Sequence, residues 1–152
     1  MRAITVSQYG AVPALTEVPD PHPGRGQVLI KIKAAGINPM DRSTADGEWK
    51  ARMPAIFPLI LGFDLAGVVE AAGEGAVKFA VGEEVYGQLI VAPLGSAGTY
   101  AEYVAVTQDA PLARIPAYGG PTPTGSTCSS TWRATPRPSA RSPLSSGPAA
   151  RR

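Results

Sequence analysis

Ala34-Ala35-Gly36-Ile37-Asn38-Pro39-Met40-Asp41-Arg42 is the stretch on which the fold turns. Before it, Val28, Ile30 and Ile32 alternate with Gln27, Leu29, Lys31 and Lys33. Two lysines on one face make that face solvated and the other buried, so the run is a strand. At Asn38-Pro39 the alternation stops. Asn is a favoured N-cap, Pro is favoured at the first helical position, and an acid three residues on complements the helix dipole. A strand running into a short helix is therefore predicted. The junction falls at the C-terminal end of the strand, where a rigid scaffold can hold a side chain out toward a ligand.

Working outward, Met1 to Gln8 alternates Ile4 and Val6 against Thr5 and Ser7, a second strand pattern. Gly10 to Pro13 turns the chain and Leu15 to Val18 reads as the returning strand. Pro19 to Gly26 holds three prolines, which fix φ and remove donors, so it is a surface loop. Beyond the junction lie a polar segment from Asp41 to Lys50 and an apolar loop with Pro54 and Pro58. Leu61-Gly62-Phe63-Asp64-Leu65-Ala66-Gly67-Val68-Val69-Glu70 is the longest apolar run and reads as a central strand. Its glycines suggest bulges or close backbone approach. Val85 to Val91, Thr99 to Val106 and Ala113 to Ile115 are further strand patterns. Short strands separated by turn signals, with little helical periodicity, point to a closed or nearly closed β-barrel.

The composition breaks after Pro116. Residues 1–116 carry nine Lys and Arg against twelve acids, a balance of −3, whereas residues 117–152 carry five Arg and no acid. The overall +2 describes neither half, so a nucleic-acid partner read from a pI of 8.8 would be an artefact of averaging. The last 36 residues contain Leu144 as their only Leu, Ile, Val, Met or Phe, with six Pro and seven Ser. Such a segment cannot offset about 1–2 kcal/mol of backbone entropy per residue, and a disordered tail is expected. The one cysteine, Cys128, excludes an internal disulfide, and the N-terminus lacks a signal-peptide apolar region. No apolar run approaches the roughly 20 residues that span a bilayer. A cytoplasmic protein without a membrane or nucleic-acid partner is the expectation. Nothing in the residues sets an oligomeric state.

Five stretches, taken together, resemble a known family: Gln27 to Ile32, Ala35 to Asp41, Leu61 to Val69, Gly82 to Gly87, and Gly98-Thr99-Tyr100-Ala101-Glu102-Tyr103-Val104. Residues 1–116 are similar to the N-terminal half of the medium-chain dehydrogenase/reductases, on the quinone oxidoreductase (zeta-crystallin-like) branch. The resemblance implies a mainly β fold, a GroES-like partly open barrel with short helices. In complete members a Rossmann domain that binds NADPH follows, and the substrate is a quinone or an enone. No such domain is expected after Pro116, since Gly119-Gly120-Pro121 follows no apolar strand. An Arg-without-Lys tail rich in Pro, Ser, Ala and Gly is what a GC-rich coding strand read in another frame produces, so a frameshifted or truncated chain is expected. Alone, it is expected to be inactive and to bind no NADPH usefully. Two further readings stand beside this one, a non-catalytic β-barrel interaction module and a non-functional truncated product.

The resemblance also assigns roles. Its cleft position makes Asn38 a candidate for both catalysis and cofactor contact, with Asp41 a second catalytic candidate. Ser43, a candidate cofactor contact, stands where many relatives carry a tyrosine. The zinc-ligand positions of the alcohol dehydrogenase branch fall on Asn38 and Phe63, which offer neither thiolate nor imidazole, so no metal is expected. From the residues themselves, Asp64 is expected to be buried, and either satisfied by backbone donors and an Arg such as Arg42 or helping to shape the cleft. Gly36, Gly62 and Gly67 read as backbone requirements. Tyr100 and Tyr103 read as barrel packing, Tyr86 as a candidate to face the cleft, and His22 as a surface residue.

Overall fold

The computed structural model describes residues 1–116. The expected disorder, frameshift and missing second domain concern residues 117–152, which lie outside the described residues. Two antiparallel sheets form the barrel. The smaller has strands β1 (Arg2–Val6), β2 (Ala14–Glu17) and β4 (Leu59–Ile60) in the order β2-β1-β4. The larger runs β7-β3-β5-β6-β8, from β3 (Gln27–Ala35), β5 (Asp64–Ala72), β6 (Glu84–Gln88), β7 (Tyr103–Thr107) and β8 (Leu112–Arg114). One short helix, α1 (Pro39–Ala45), follows β3.

The predicted alternation is what builds the larger sheet. Val28 and Ile30 on β3 point inward, as do Leu65 and Val69 on β5, Val85 on β6, and Val104 and Val106 on β7. They close with Phe79 and Leu89 into one apolar core. The predicted central strand is central: β5 lies between β3 and β6. Its Gly67 packs where a Cβ would collide with the Lys31 carbonyl, the close approach that the glycines suggested. The β3–β5 pairing carries irregularities between Leu29 and Ile30 and between Ile32 and Ala34, the second close to the strand end that leads into α1.

The segment between Tyr100 and Glu102 ties the two sheets together. Ile4 donates its N–H to the Tyr100 carbonyl at 2.7 Å, and Ile32 donates to the Glu102 carbonyl at 2.9 Å. For that reason the strand expected from Thr99 begins at Tyr103. Likewise β6 stops at Gln88 rather than Val91. Among the described residues no helix is long and apolar enough to cross a membrane.

Candidate functional site

The site assembles at one end of the larger sheet, where β3 finishes, β5 starts and β6 finishes. Antiparallel pairing brings these ends together: Ala35 pairs with Leu65, and Asp64 pairs with Gln88. Gly36 follows β3 directly. A Cβ there would lie 3.0 Å from Asp64 Oδ2, so the missing side chain is the notch through which the Asp64 carboxylate reaches forward.

Asn38 caps α1 as predicted, with φ −127° and ψ 154°, extended backbone outside the helix. Pro39 opens the helix and Asp41 stands at its third position. The Asn38 N–H donates to Asp41 Oδ2 at 2.6 Å, the return arm of a capping box. The Asn38 side-chain Nδ2 donates to Asp64 Oδ2 at 2.7 Å, and Gln88 Nε2 donates to Asp64 Oδ1 at 3.0 Å. Asp64 is thus half-buried rather than buried, and two amides hold it instead of backbone donors and an arginine. Arg42 cannot serve because the helix turns it outward, where it pairs with Asp46 one turn on at 3.3 Å.

Asp41 is buried, at 5% exposure. Its Oδ2 also accepts the Tyr100 hydroxyl at 2.8 Å, and the same hydroxyl lies 3.1 Å from the Gly36 carbonyl. Asp41 Oδ1 is buried without a protein partner. Burial, then the bond to Asp41, then the charges of Asp41 and Asp64 push the Tyr100 phenol up to about 12. Tyr100 is therefore a neutral hydroxyl at physiological pH. Its reading as packing alone is incomplete: it packs on the second apolar cluster and joins the polar network.

Asn38, Asp41 and Tyr100 line a cleft of about 490 Å³ with Ile4, Val12 and Ile37 among its apolar walls. Ile37 and Val12 are almost wholly exposed, at 88% and 86%. Such a cleft, apolar with a few convergent polar groups, is the usual form of a small-molecule site. Ser43 is placed differently. Its hydroxyl donates to the Met40 carbonyl at 3.2 Å and accepts the Trp49 indole N–H at 2.9 Å, so it fastens Trp49 to the helix. Tyr86 is half-exposed on β6 opposite Ala66, and His22 is exposed. Lys31 lies over the Tyr103 ring at 5.7 Å. Phe63 is buried in the second cluster with Val6, Leu59 and Leu61. Gln88 and Tyr100 are the polar members that sequence reasoning did not assign to the site, and Asp64, read as either paired or cleft-shaping, joins them through Asn38. The register Asp64↔Gln88 is the signal that carries them, and it exists only once the strands are paired.

Comparison with known proteins agrees with this architecture. Residues 24–117 match the alcohol dehydrogenase GroES-like domain. A quinone oxidoreductase of Lama guanicoe is 38% identical over 119 residues, 76% of this chain and 34% of the relative. An alcohol dehydrogenase superfamily protein from Novosphingobium aromaticivorans superposes with a TM-score of 0.69 at 37% identity, covering 78% of this chain and 35% of that structure. A mycobacterial protein solved in complex with NADPH superposes with a TM-score of 0.62 at 32% identity, covering 78% and 33%. The chain therefore spans about a third of the length of the relatives it matches. On its barrel, its junction motif and these likenesses, the chain belongs to the alcohol dehydrogenase GroES-like domain family, among medium-chain dehydrogenase/reductase proteins similar to quinone oxidoreductases.

Proposed function

We propose that residues 1–116 form the substrate-side domain of a zinc-independent, NADPH-dependent quinone or enone reductase. The observation that carries this is the cleft in which Asn38, Asp41 and Tyr100 meet apolar walls that include Ile4, Val12, Ile37 and Leu61, with the Arg42–Asp46 pair also on its lining. The described residues suit the reacting end of a nicotinamide, which is a flat ring with one polar carboxamide. They do not suit its phosphates, since the described part contains no glycine-rich strand–turn–helix. Losing three charge-assisted phosphate bonds, at about 1.5–3 kcal/mol each, costs on the order of a thousandfold in affinity or more. Residues 1–116 alone accordingly hold NADPH weakly.

When bound, the cofactor supplies the hydride. The protein's part is to orient and to exclude water. Asn38, held by Asp41 through its backbone and by Asp64 through its side chain, offers a fixed amide at the polar end. Tyr100 keeps Asp41 turned toward the helix N-terminus. The apolar walls take the carbon skeleton of the substrate. Zinc independence rests on residue chemistry, because Phe63 is a buried hydrocarbon and Asn38 is a neutral amide committed to Asp64. Ser43 contributes through Trp49 rather than from the cleft wall.

The test is a chimera that joins residues 1–116 to the nucleotide-binding remainder of a quinone oxidoreductase relative. It should reduce a quinone with NADPH, and Asn38→Ala should lower kcat/KM roughly 10- to 100-fold, the loss of one hydrogen bond to a reacting group. A folded but inactive chimera, or one indifferent to Asn38, overturns the reading. Limited proteolysis of the full chain tests the domain boundary, and a resistant core should end near Pro116.

A further inference from the structure

We propose that Val12 and Ile37 determine specificity, selecting quinones or enones that carry an apolar chain beside the reacting group. The inference deepens the functional reading above and rests on it for the reacting group itself. The floor of the cleft is hydrocarbon that the barrel already shelters: Leu61 and Ala45 are buried, and Ile4 is half-buried. Val12 and Ile37 line the same cleft and are almost wholly exposed. Exposure alone means little. Single apolar side chains are common on surfaces, and Val77 is as exposed as Val12 outside this cleft. What sets the pair apart is a shared concave lining and a fixed backbone.

Both side chains stand on anchored chain. Ile37 lies between Gly36, whose carbonyl accepts the Tyr100 hydroxyl at 3.1 Å, and Asn38, whose N–H donates to Asp41 at 2.6 Å. Val12 follows a turn in which Gly10 takes φ +75°. The Gly10 N–H donates to the Ala45 carbonyl on α1 at 2.8 Å, and the Ala11 N–H donates to the Gln8 carbonyl at 3.2 Å. A ligand that covers such side chains orders little backbone in doing so. More of the gain from buried apolar area is then kept as affinity.

The rest of the lining has little to offer a polar or charged substituent. The Asn38 amide nitrogen is committed to Asp64, the Tyr100 hydroxyl to Asp41, and Arg42 to Asp46 at 3.3 Å. At about 490 Å³ the cleft is larger than a bare six-membered ring needs, and hydrocarbon is what its remaining walls can cover. The reacting ring stays at the polar end, and the chain lies along Val12 and Ile37.

Two quinones separate chain from ring: duroquinone, whose ring is fully methylated, and its analogue in which pentyl replaces one methyl. With every ring position filled, neither adds to the Cys128 thiol. Each is titrated into the full chain and followed by the methyl NMR signals of Val12 and Ile37. The pentyl compound should bind about tenfold tighter or more, since its further carbons reach apolar wall. In Val12→Ser and in Ile37→Ser that advantage should fall about threefold, with duroquinone nearly unchanged. Both positions are exposed, so both variants should fold as the native chain does. Leu15→Ser is the control, because Leu15 is exposed but lies outside this cleft. Loss of the advantage in Leu15→Ser would mean unspecific adhesion to hydrocarbon and overturns the proposal. Equal affinity for the two quinones, or an advantage that survives both Val12→Ser and Ile37→Ser, overturns it as well. So does the absence of binding by either compound, whereas the functional reading stands or falls on the chimera's turnover.

Discussion

The two apolar clusters of this barrel are built for different ends. Behind the larger sheet, Val28, Ile30, Leu65, Val69, Val85, Val104 and Val106 interlock with Phe79 and Leu89, all hydrocarbon. Beneath the cleft, Val6, Leu59, Leu61, Phe63 and Leu94 are fewer, and lean on Met40, Trp49, Tyr9 and Tyr100. The first region stabilises by area removed from water alone. The second must carry a polar layer on its roof, in which Asp41 is buried and one of its oxygens lacks a partner. Stability should therefore concentrate in the first cluster, while the second carries the cost of burying polar groups.

The sharpest way to break that contrast is to cut into the first cluster. Ile30 is fully buried, and Ile30→Ala should lose about 2–5 kcal/mol, read as a lower urea midpoint with an unchanged slope. A loss below 1 kcal/mol would mean that the sheet core is not where the stability resides. Second in size is Asp41→Ala, expected to cost about 1–3 kcal/mol by stranding the Asn38 N–H and the Tyr100 hydroxyl. If Asp41→Ala proves neutral, the polar roof is not structural.

Tyr100→Phe should cost less, about 0.5–1.5 kcal/mol, and it adds a signature in pH. The folded phenol is raised to about 12 from an ordinary value of 10, so folding favours its neutral form. Its contribution is complete below pH 10 and is lost as pH rises from 10 to about 12. Phenolate absorbance should show one tyrosine ionising late, and Tyr100→Phe should remove that step. The smallest effect is expected from Arg42→Ala, within about 0.5 kcal/mol, because its pair with Asp46 is exposed. A large loss there would revive a buried role for Arg42.

The junction at Asn38 was legible because its information is local. A period of two ends, and an N-cap, a proline and an acid follow at fixed offsets, all within reach of one helical turn. The core residues Val28, Ile30, Val69 and Val85 were legible from the same periodicity. What could not be read was partnership across the sheet. Asp64 lies 26 residues from Asn38, and Tyr100 lies 59 from Asp41, so no spacing rule links them. The expected Arg42–Asp64 pair failed for a related reason. Opposite charges attract on paper, but the helix sends Arg42 to the side where Asp46 stands. The strand end also differs at Thr99, because the Tyr100 carbonyl serves the other sheet before β7 begins.

The notch at Gly36 has a consequence for how this protein can change over generations. Gly36, Asp64 and Gln88 are neighbours only because three strands are aligned to the residue, and side chains alternate sides at every step. Loops between those strands are free to lengthen or shorten, whereas a single inserted or deleted residue near the end of β3 would turn Gly36 away and put a side chain against Asp64. Variation should therefore collect in the loops, and the strand ends should count residues as strictly as a lock counts pins.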